Sequence, residues 1–138
     1  MQAQCLCKGI VLDFTPVPDF CSHCHCKTCQ KFTGSAFATW IKAKKDDFQI
    51  LQGTDRVSMF ETSPGSKWFF CGTCGSSLFQ RYDLTRDPSE HTYICLAMLV
   101  EEHDFHPTKN AYWDTHQPWL DGIESLGKFV GHTNQKIQ

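Results

Sequence analysis

Nowhere in the 138 residues is there an apolar run near the ~20 that a membrane-spanning helix needs. Basic charge is not in excess either: 13 Lys+Arg against 15 Asp+Glu leave a formal charge of −2, which argues against a nucleic-acid footprint. Only 20% of residues are charged and 41% are hydrophobic, so the composition is that of an ordinary globular chain rather than a disordered one. Low-complexity tracts and internal repeats are missing. So is a secretory start, because Met1-Gln2-Ala3-Gln4 has neither a basic nor an apolar stretch. That start leads us to expect a reducing, cytoplasmic setting in which disulfides do not persist.

Against this plain background stand nine cysteines and seven histidines. In a reducing compartment clustered thiols point to metal or catalysis. Cys71-Gly72-Thr73-Cys74-Gly75 is a CxxCG knuckle, with glycine placed where a positive φ would turn backbone amides toward the sulfurs. It supplies half of a structural zinc site. Cys5-Leu6-Cys7 supplies the other half, on the expectation that i and i+2 of a strand share a face. A second concentration runs from Cys21 through His23, Cys24, His25 and Cys26 to Cys29. If the chain is extended, Cys24 and Cys26 share a face, and Cys29 can fold back from a helical turn to make a three-sulfur cup with one position left open. Cys21 is the alternative fourth ligand, which would close the cup, and His23 or His25 are ligands, proton shuttles or exposed strand residues. Lys27 and Lys31 lie close enough to offset an anionic site or to steer a carboxylate.

Elsewhere short apolar runs alternate with turn signals, and the pattern predicts strands at Gly9 to Phe14, Ala36 to Lys42, Phe48 to Leu51, Arg56 to Glu61, Lys67 to Phe70, Ser77 to Tyr82 and Thr92 to Met98. Turns are expected at Pro16-Val17-Pro18, Lys45-Asp46-Asp47, Ser63 to Ser66 and Asp87-Pro88-Ser89. The strongest hairpin pairs Met59-Phe60-Glu61 with Lys67-Trp68-Phe69. One helical turn is expected over Cys26 to Thr33, capped by Gly34. The fold class is therefore mainly β, antiparallel hairpins in one zinc-binding domain over residues 1–131, followed by a frayed C-terminal tail at 132–138. Cys95, in the apolar run Tyr93 to Met98, reads as a small buried side chain. Trp113 and Trp119 sit beside His106 and His116 in irregular chain that could close over an open metal.

The order Cys5-x-Cys7, then Cys24-His25-Cys26-Lys27-Thr28-Cys29-Gln30-Lys31 with Gly34-Ser35-Ala36-Phe37, then Phe70-Cys71-Gly72-Thr73-Cys74-Gly75-Ser76 resembles the glutathione-dependent formaldehyde-activating enzymes and their centromere protein V relatives. The resemblance implies an Mss4-like β-tent, a structural zinc on Cys5, Cys7, Cys71 and Cys74, and a labile zinc on Cys24, Cys26 and Cys29, which would be the catalytic residues. It implies a carbon–sulfur lyase that joins formaldehyde to the thiol of glutathione as S-(hydroxymethyl)glutathione. Gly34 and Ser35 are expected to contact the incoming thiol. The expected partner is that small thiol, with no nucleic acid and no membrane. Two other readings stand beside it: a zinc-stabilised module that binds a protein and catalyses nothing, and a thiol redox enzyme resembling methionine sulfoxide reductase B, with Cys95 as nucleophile.

Overall fold

The computed structural model describes residues 1–131 and 135–137. Alternation of buried and exposed side chains builds the strands that come first in the chain: β1 (Gln2–Gln4), β2 (Val11–Pro16) and β3 (Ser22–Cys24). Helix α1 (Lys27–Thr33) follows, and then β4 (Ala38–Gln52), β5 (Val57–Ser63), β6 (Ser66–Cys71), β7 (Ser77–Tyr82) and β8 (His91–Cys95). Their sheet runs in the order β1-β2-β4-β8-β7-β6-β5, with β3 paired to β4 and to a short β9 (Asn110–Ala111). Every pairing is antiparallel except β3 with β9. The fold class is thus mainly antiparallel β.

The predicted hairpin forms in the expected register, Met59 opposite Phe69, Phe60 opposite Trp68 and Glu61 opposite Lys67. The predicted turn at Lys45-Asp46-Asp47 does not form. Residues 38–52 make one long strand, because pairing with β3, β8 and β2 up to Lys44 and with β2 again from Phe48 holds both flanks, and the polar stretch between them is an irregularity in the β2 register rather than a turn. The run expected from Thr92 to Met98 divides into β8 and a 3-10 turn over Leu96–Met98. Strands β1 and β3 were not expected, since each is only three residues long, too short for an alternation to show, and β3 takes one of its partners from residues 110–111.

Two apolar clusters lie on the sheet. One gathers Ala3, Ile10, Leu12, Phe14, Ile41, Leu78, Phe79 and Ile94. The other contains Ala38, Trp40, Trp68 and Cys95 with Cys29, and Phe32, Cys24 and Cys26 pack against it. Neighbouring residues of β4 divide between them, Ile41 facing the first and Trp40 the second, as the strand period of two requires. Each cysteine group sits at one of these clusters.

Beyond β9 the chain makes 3-10 turns at Trp113–Thr115, Pro118–Leu120 and Ile123–Ser125 and then strand β10 (Phe129–Val130), paired with β11 (Gln135–Lys136). The expected tail at 132–138 includes that paired strand; residues 132–134 and 138 lie outside the described residues.

Candidate metal centres

Cys5 and Cys7 are not on a strand. They occupy a turn that follows β1, in which the Lys8 N–H donates to Cys5 O at 2.9 Å and Lys8 itself has φ 61°. The shared strand face expected from sequence is thus replaced by a tight turn, which brings both sulfurs to one point by curling the backbone. From the other direction β6 delivers Cys71, and the knuckle returns with the Gly75 N–H donating to Cys71 O at 2.8 Å and Gly75 at φ 76°. A side chain is disfavoured in that conformation, which is why the position is glycine.

The four sulfurs of Cys5, Cys7, Cys71 and Cys74 lie within 4.8 Å of one another. Cys5 Sγ and Cys7 Sγ are 3.5 Å apart, and Cys7 Sγ and Cys71 Sγ 3.8 Å. Sulfurs at the corners of a tetrahedron with Zn–S near 2.3 Å stand about 3.8 Å apart, so the donor set and its spacing fit zinc. Cys5 and Cys71 are buried while Cys7 is exposed, so the group is complete in ligand number yet lies at the surface. Ser76 ties its two halves together: its hydroxyl accepts from the Leu6 N–H at 2.9 Å and lies 3.2 Å from Cys74 Sγ. That hydroxyl, first among several N–H groups, pulls the Cys74 thiol down to about 5.

The second group forms at the junction of β3 and α1. Cys24 ends the strand, Cys26 is the extended N-cap of the helix, and its Sγ accepts the Cys29 N–H at 3.3 Å. Cys24, Cys26 and Cys29 fall within 4.8 Å of one another, and Cys29 is buried. Hydrogen bonds from Cys24 and then Cys29 hold the Cys26 thiol far below the ordinary thiol range, while Cys24 and then Cys26 push Cys29 up. Three converging thiols of this kind are a donor set for a soft cation. Three thiolates leave a tetrahedral ion one ligand short.

Cys21 does not complete this group. It is 3% exposed and packs in the other apolar cluster, with Ala3, Ile10 and Leu12. Neither His23 nor His25 joins it. The ring of His23 meets Thr39 Oγ1 at 2.9 Å, and His25 Nε2 meets Asn110 Oδ1 at 3.1 Å. The alternation of the extended chain explains this, because placing Cys24 and Cys26 on one side places His25 on the other. His103 and His106 are exposed and belong to neither cysteine group. Cys95 is buried and desolvation pushes its thiol up to about 12, so the redox reading lacks its nucleophile.

Gly34 caps α1 at φ 64°, its N–H donating to Gln30 O. With Ser35 it lines a groove of about 830 Å³ that runs from the end of α1 to the CxxCG knuckle, its walls including Phe32, Phe37, Cys74, Ser77 and Met98 but none of Cys24, Cys26 and Cys29. The Ser35 hydroxyl is already engaged, donating to Phe37 O at 2.6 Å and lying 2.7 Å from Thr33 Oγ1.

The irregular chain expected to close near the open site does cross it as a strap, and what sequence reading missed is its anchor, Gln30. Residues 110–117 cross the β3–α1 junction, and the buried side chain of Gln30 holds them there. Its amide donates to His25 O at 2.6 Å and to Thr115 O at 3.1 Å, while its oxygen accepts from Gln117 at 2.6 Å. The His25 N–H donates to Ala111 O, Thr115 Oγ1 donates to His25 O, and Trp113 meets the His25 ring edge-on at 4.9 Å. Trp113 also stacks on His116 at 4.0 Å, and both Trp113 and Trp119 are exposed. Glutamine after the last cysteine was the available signal, but its partners are 85 and 87 positions away.

Comparison with known proteins matches this geometry to relatives. An uncharacterized lyase of Schizosaccharomyces pombe is 28% identical over 87 residues, 63% of this chain and 61% of that protein, so the chain spans less than two thirds of its relative. A solved protein of Rhodobacter sphaeroides shares the fold with TM-score 0.67 at 20% identity, covering 80% of this chain and 100% of that one. The profile of the glutathione-dependent formaldehyde-activating enzymes matches residues 1–115, a span that contains both cysteine groups and most of the strap. The chain belongs to that family.

Proposed function

We propose that the protein is a two-zinc carbon–sulfur lyase that joins a small glutathione-like thiol to formaldehyde or a similarly small aldehyde. The observation that carries this reading is the inequality of the two cysteine groups. One has four sulfurs, and the other has three, with Cys21 turned into the other apolar cluster. Family membership and the lyase name of the fungal relative support the reaction class.

Cys5, Cys7, Cys71 and Cys74 would hold the structural ion, and Cys24, Cys26 and Cys29 would hold a labile zinc ion whose positive charge would favour the thiolate over the thiol of an incoming ligand. The chain's own contribution is position. Cys24, Cys26 and Cys29 fix the site at the end of β3, the strap braces that junction through Gln30, and the groove at Gly34 and Ser35 offers room for the rest of the thiol. In the addition a sulfur–carbon bond forms, the carbonyl π bond breaks, and the proton lost by the thiol ends on the new hydroxyl oxygen. No redox partner is needed. Nine free thiols suit a reducing, cytoplasm-like compartment.

Cobalt-substituted protein titrated with glutathione tests the reading. A change in the absorption bands that disappears in Cys26→Ser is expected, together with faster appearance of the hydroxymethyl thioether by NMR than in buffer. Bands indifferent to glutathione would overturn the enzyme reading in favour of a zinc-stabilised binding module.

A further inference from the structure

Lys67 on β6 stands directly opposite Arg81 on β7, and like charges facing each other across an antiparallel pair are destabilising. Among the described residues neither forms an ion pair. Glu61 faces Lys67 from β5, but its carboxylate accepts the Gly65 N–H at 2.7 Å in the hairpin turn. Arg81 is half-buried: its Nε donates to Thr92 Oγ1 at 2.8 Å, and its guanidinium lies 5.0 Å from the Phe48 ring centre and 5.5 Å from that of Phe79. Those contacts hold the fork in place and leave its two terminal nitrogens with no protein acceptor among the described residues.

Both cations line a hollow of about 280 Å³ that also takes in Phe69 and His91. His91 Nδ1 is held 3.1 Å from Asp87 Oδ2, and its Nε2 has no protein partner among the described residues. Two acids reach the rim, and both are engaged elsewhere. Glu90 accepts from Lys45 Nζ at 2.6 Å, and Asp83 accepts from the Thr85 hydroxyl at 2.7 Å and the Arg86 N–H at 3.1 Å. No cysteine lines the hollow, and it shares no residue with the groove at Gly34 and Ser35.

We propose that this hollow binds the phosphate group of a small molecule, at a site separate from both metal groups. Lys67 and Arg81 are two cations without counter-ions, which matches the double charge of a phosphate, whereas one carboxylate would leave half of it unanswered. The guanidinium fork takes two oxygens of the phosphate and the Lys67 ammonium a third. A bound anion also relieves the repulsion between β6 and β7, so ligand binding and strand pairing support each other.

Amide NMR and thermal melts of the metal-loaded protein, titrated at fixed ionic strength with inorganic phosphate, glycerol 3-phosphate and acetate, test the proposal. Both phosphates should give saturable shifts at residues 67, 81 and 91, and acetate should bind more weakly. Arg81→Gln should weaken phosphate roughly ten-fold or more and Lys67→Gln up to about five-fold, the ranges of a charge-assisted hydrogen bond and an exposed ion pair. Without ligand Lys67→Gln should melt no lower than the parent, because it removes the facing charge. In phosphate the parent should overtake it, a crossover that a merely structural lysine would not give. If Arg81→Gln fails to fold, Lys67→Gln and Lys67→Glu carry the comparison. Tighter binding of glycerol 3-phosphate supports the site and identifies its ligand as an organic phosphate ester; tighter binding of inorganic phosphate supports it with free phosphate as the ligand. Acetate binding as tightly as phosphate, shifts that do not saturate, or affinity undiminished in both Lys67 variants would overturn it. So would a phosphate response confined to the absorption bands of cobalt in the labile site and lost in Cys26→Ser, which would put the anion at the metal.

Discussion

Cys26 does two jobs: its sulfur caps α1 by accepting the Cys29 N–H, and the same sulfur is one of three that could hold an ion. Cys26→Ser should keep the cap, since serine is a good N-cap residue, and lose the second metal. Metal analysis should then fall by one equivalent while the melting temperature changes little. Away from the metal groups, Asp87 is 7% exposed and accepts from the backbone N–H groups of Ser89 and His91 and from the Tyr93 hydroxyl, with the His91 ring 3.1 Å away. Burial pushes its carboxyl up, but the His91 ring and N–H and the Tyr93 hydroxyl outweigh it and the pKa is lowered. The stabilisation is therefore complete above the unfolded carboxyl value near 3.9 and is lost as pH falls through the lower folded value. Asp87→Ala should cost about 1–3 kcal/mol at pH 7, and urea titrations should show the gap to the parent protein closing below pH 4.

Between elements, the decisive joint is the strap on the β3–α1 junction. Gln30→Leu removes the amide that holds His25 O, Thr115 O and Gln117 together. Loss of an outer-sphere support of this kind costs roughly 10–100-fold in metal affinity. The second site should show that loss in a chelator competition while the first is unchanged, a selectivity that general destabilisation would not produce. The elements themselves were legible to different degrees. The β5–β6 hairpin was readable because its turn, its alternation and its partner all lie within a dozen residues. Helix α1 was readable from its glycine cap. Strand β4 was not, since Lys45-Asp46-Asp47 has the composition of a turn and only the pairing of its flanks, Ala43 and Phe48, with β2 keeps the chain extended across it. The Cys5-Leu6-Cys7 turn was hidden for a similar reason: a CxC pair meets the same ion from a strand or from a turn, and spacing does not choose between them.

At the scale of the molecule, the first cysteine group joins the start of the chain to the end of β6, across 64 positions between Cys7 and Cys71. Cys71→Ser should therefore unfold much of the domain in the metal-loaded protein, because zinc affinity at a structural site is folding free energy. Circular dichroism would check this, with Cys26→Ser as the folded control. Chelator should remove metal in two steps, the three-sulfur site first, with loss of structure accompanying only the second. A single step with simultaneous unfolding would show that the two groups are equivalent.

Sequence alone determined which sulfurs could act together, because ligand chemistry and short spacing within CxC, CxxCG and CxCxxC restrict the partners before any fold is known. It also determined that the chain would be mainly β, through alternation and turn residues. Tertiary structure decided that Cys21 goes to the core rather than to the cup, and that His25 faces the strap. It also brought Gln30, Asn110, Thr115 and Gln117 together around the site. Those outcomes depend on which distant segments compete for each buried polar group, and that competition is resolved only when the sheet has closed.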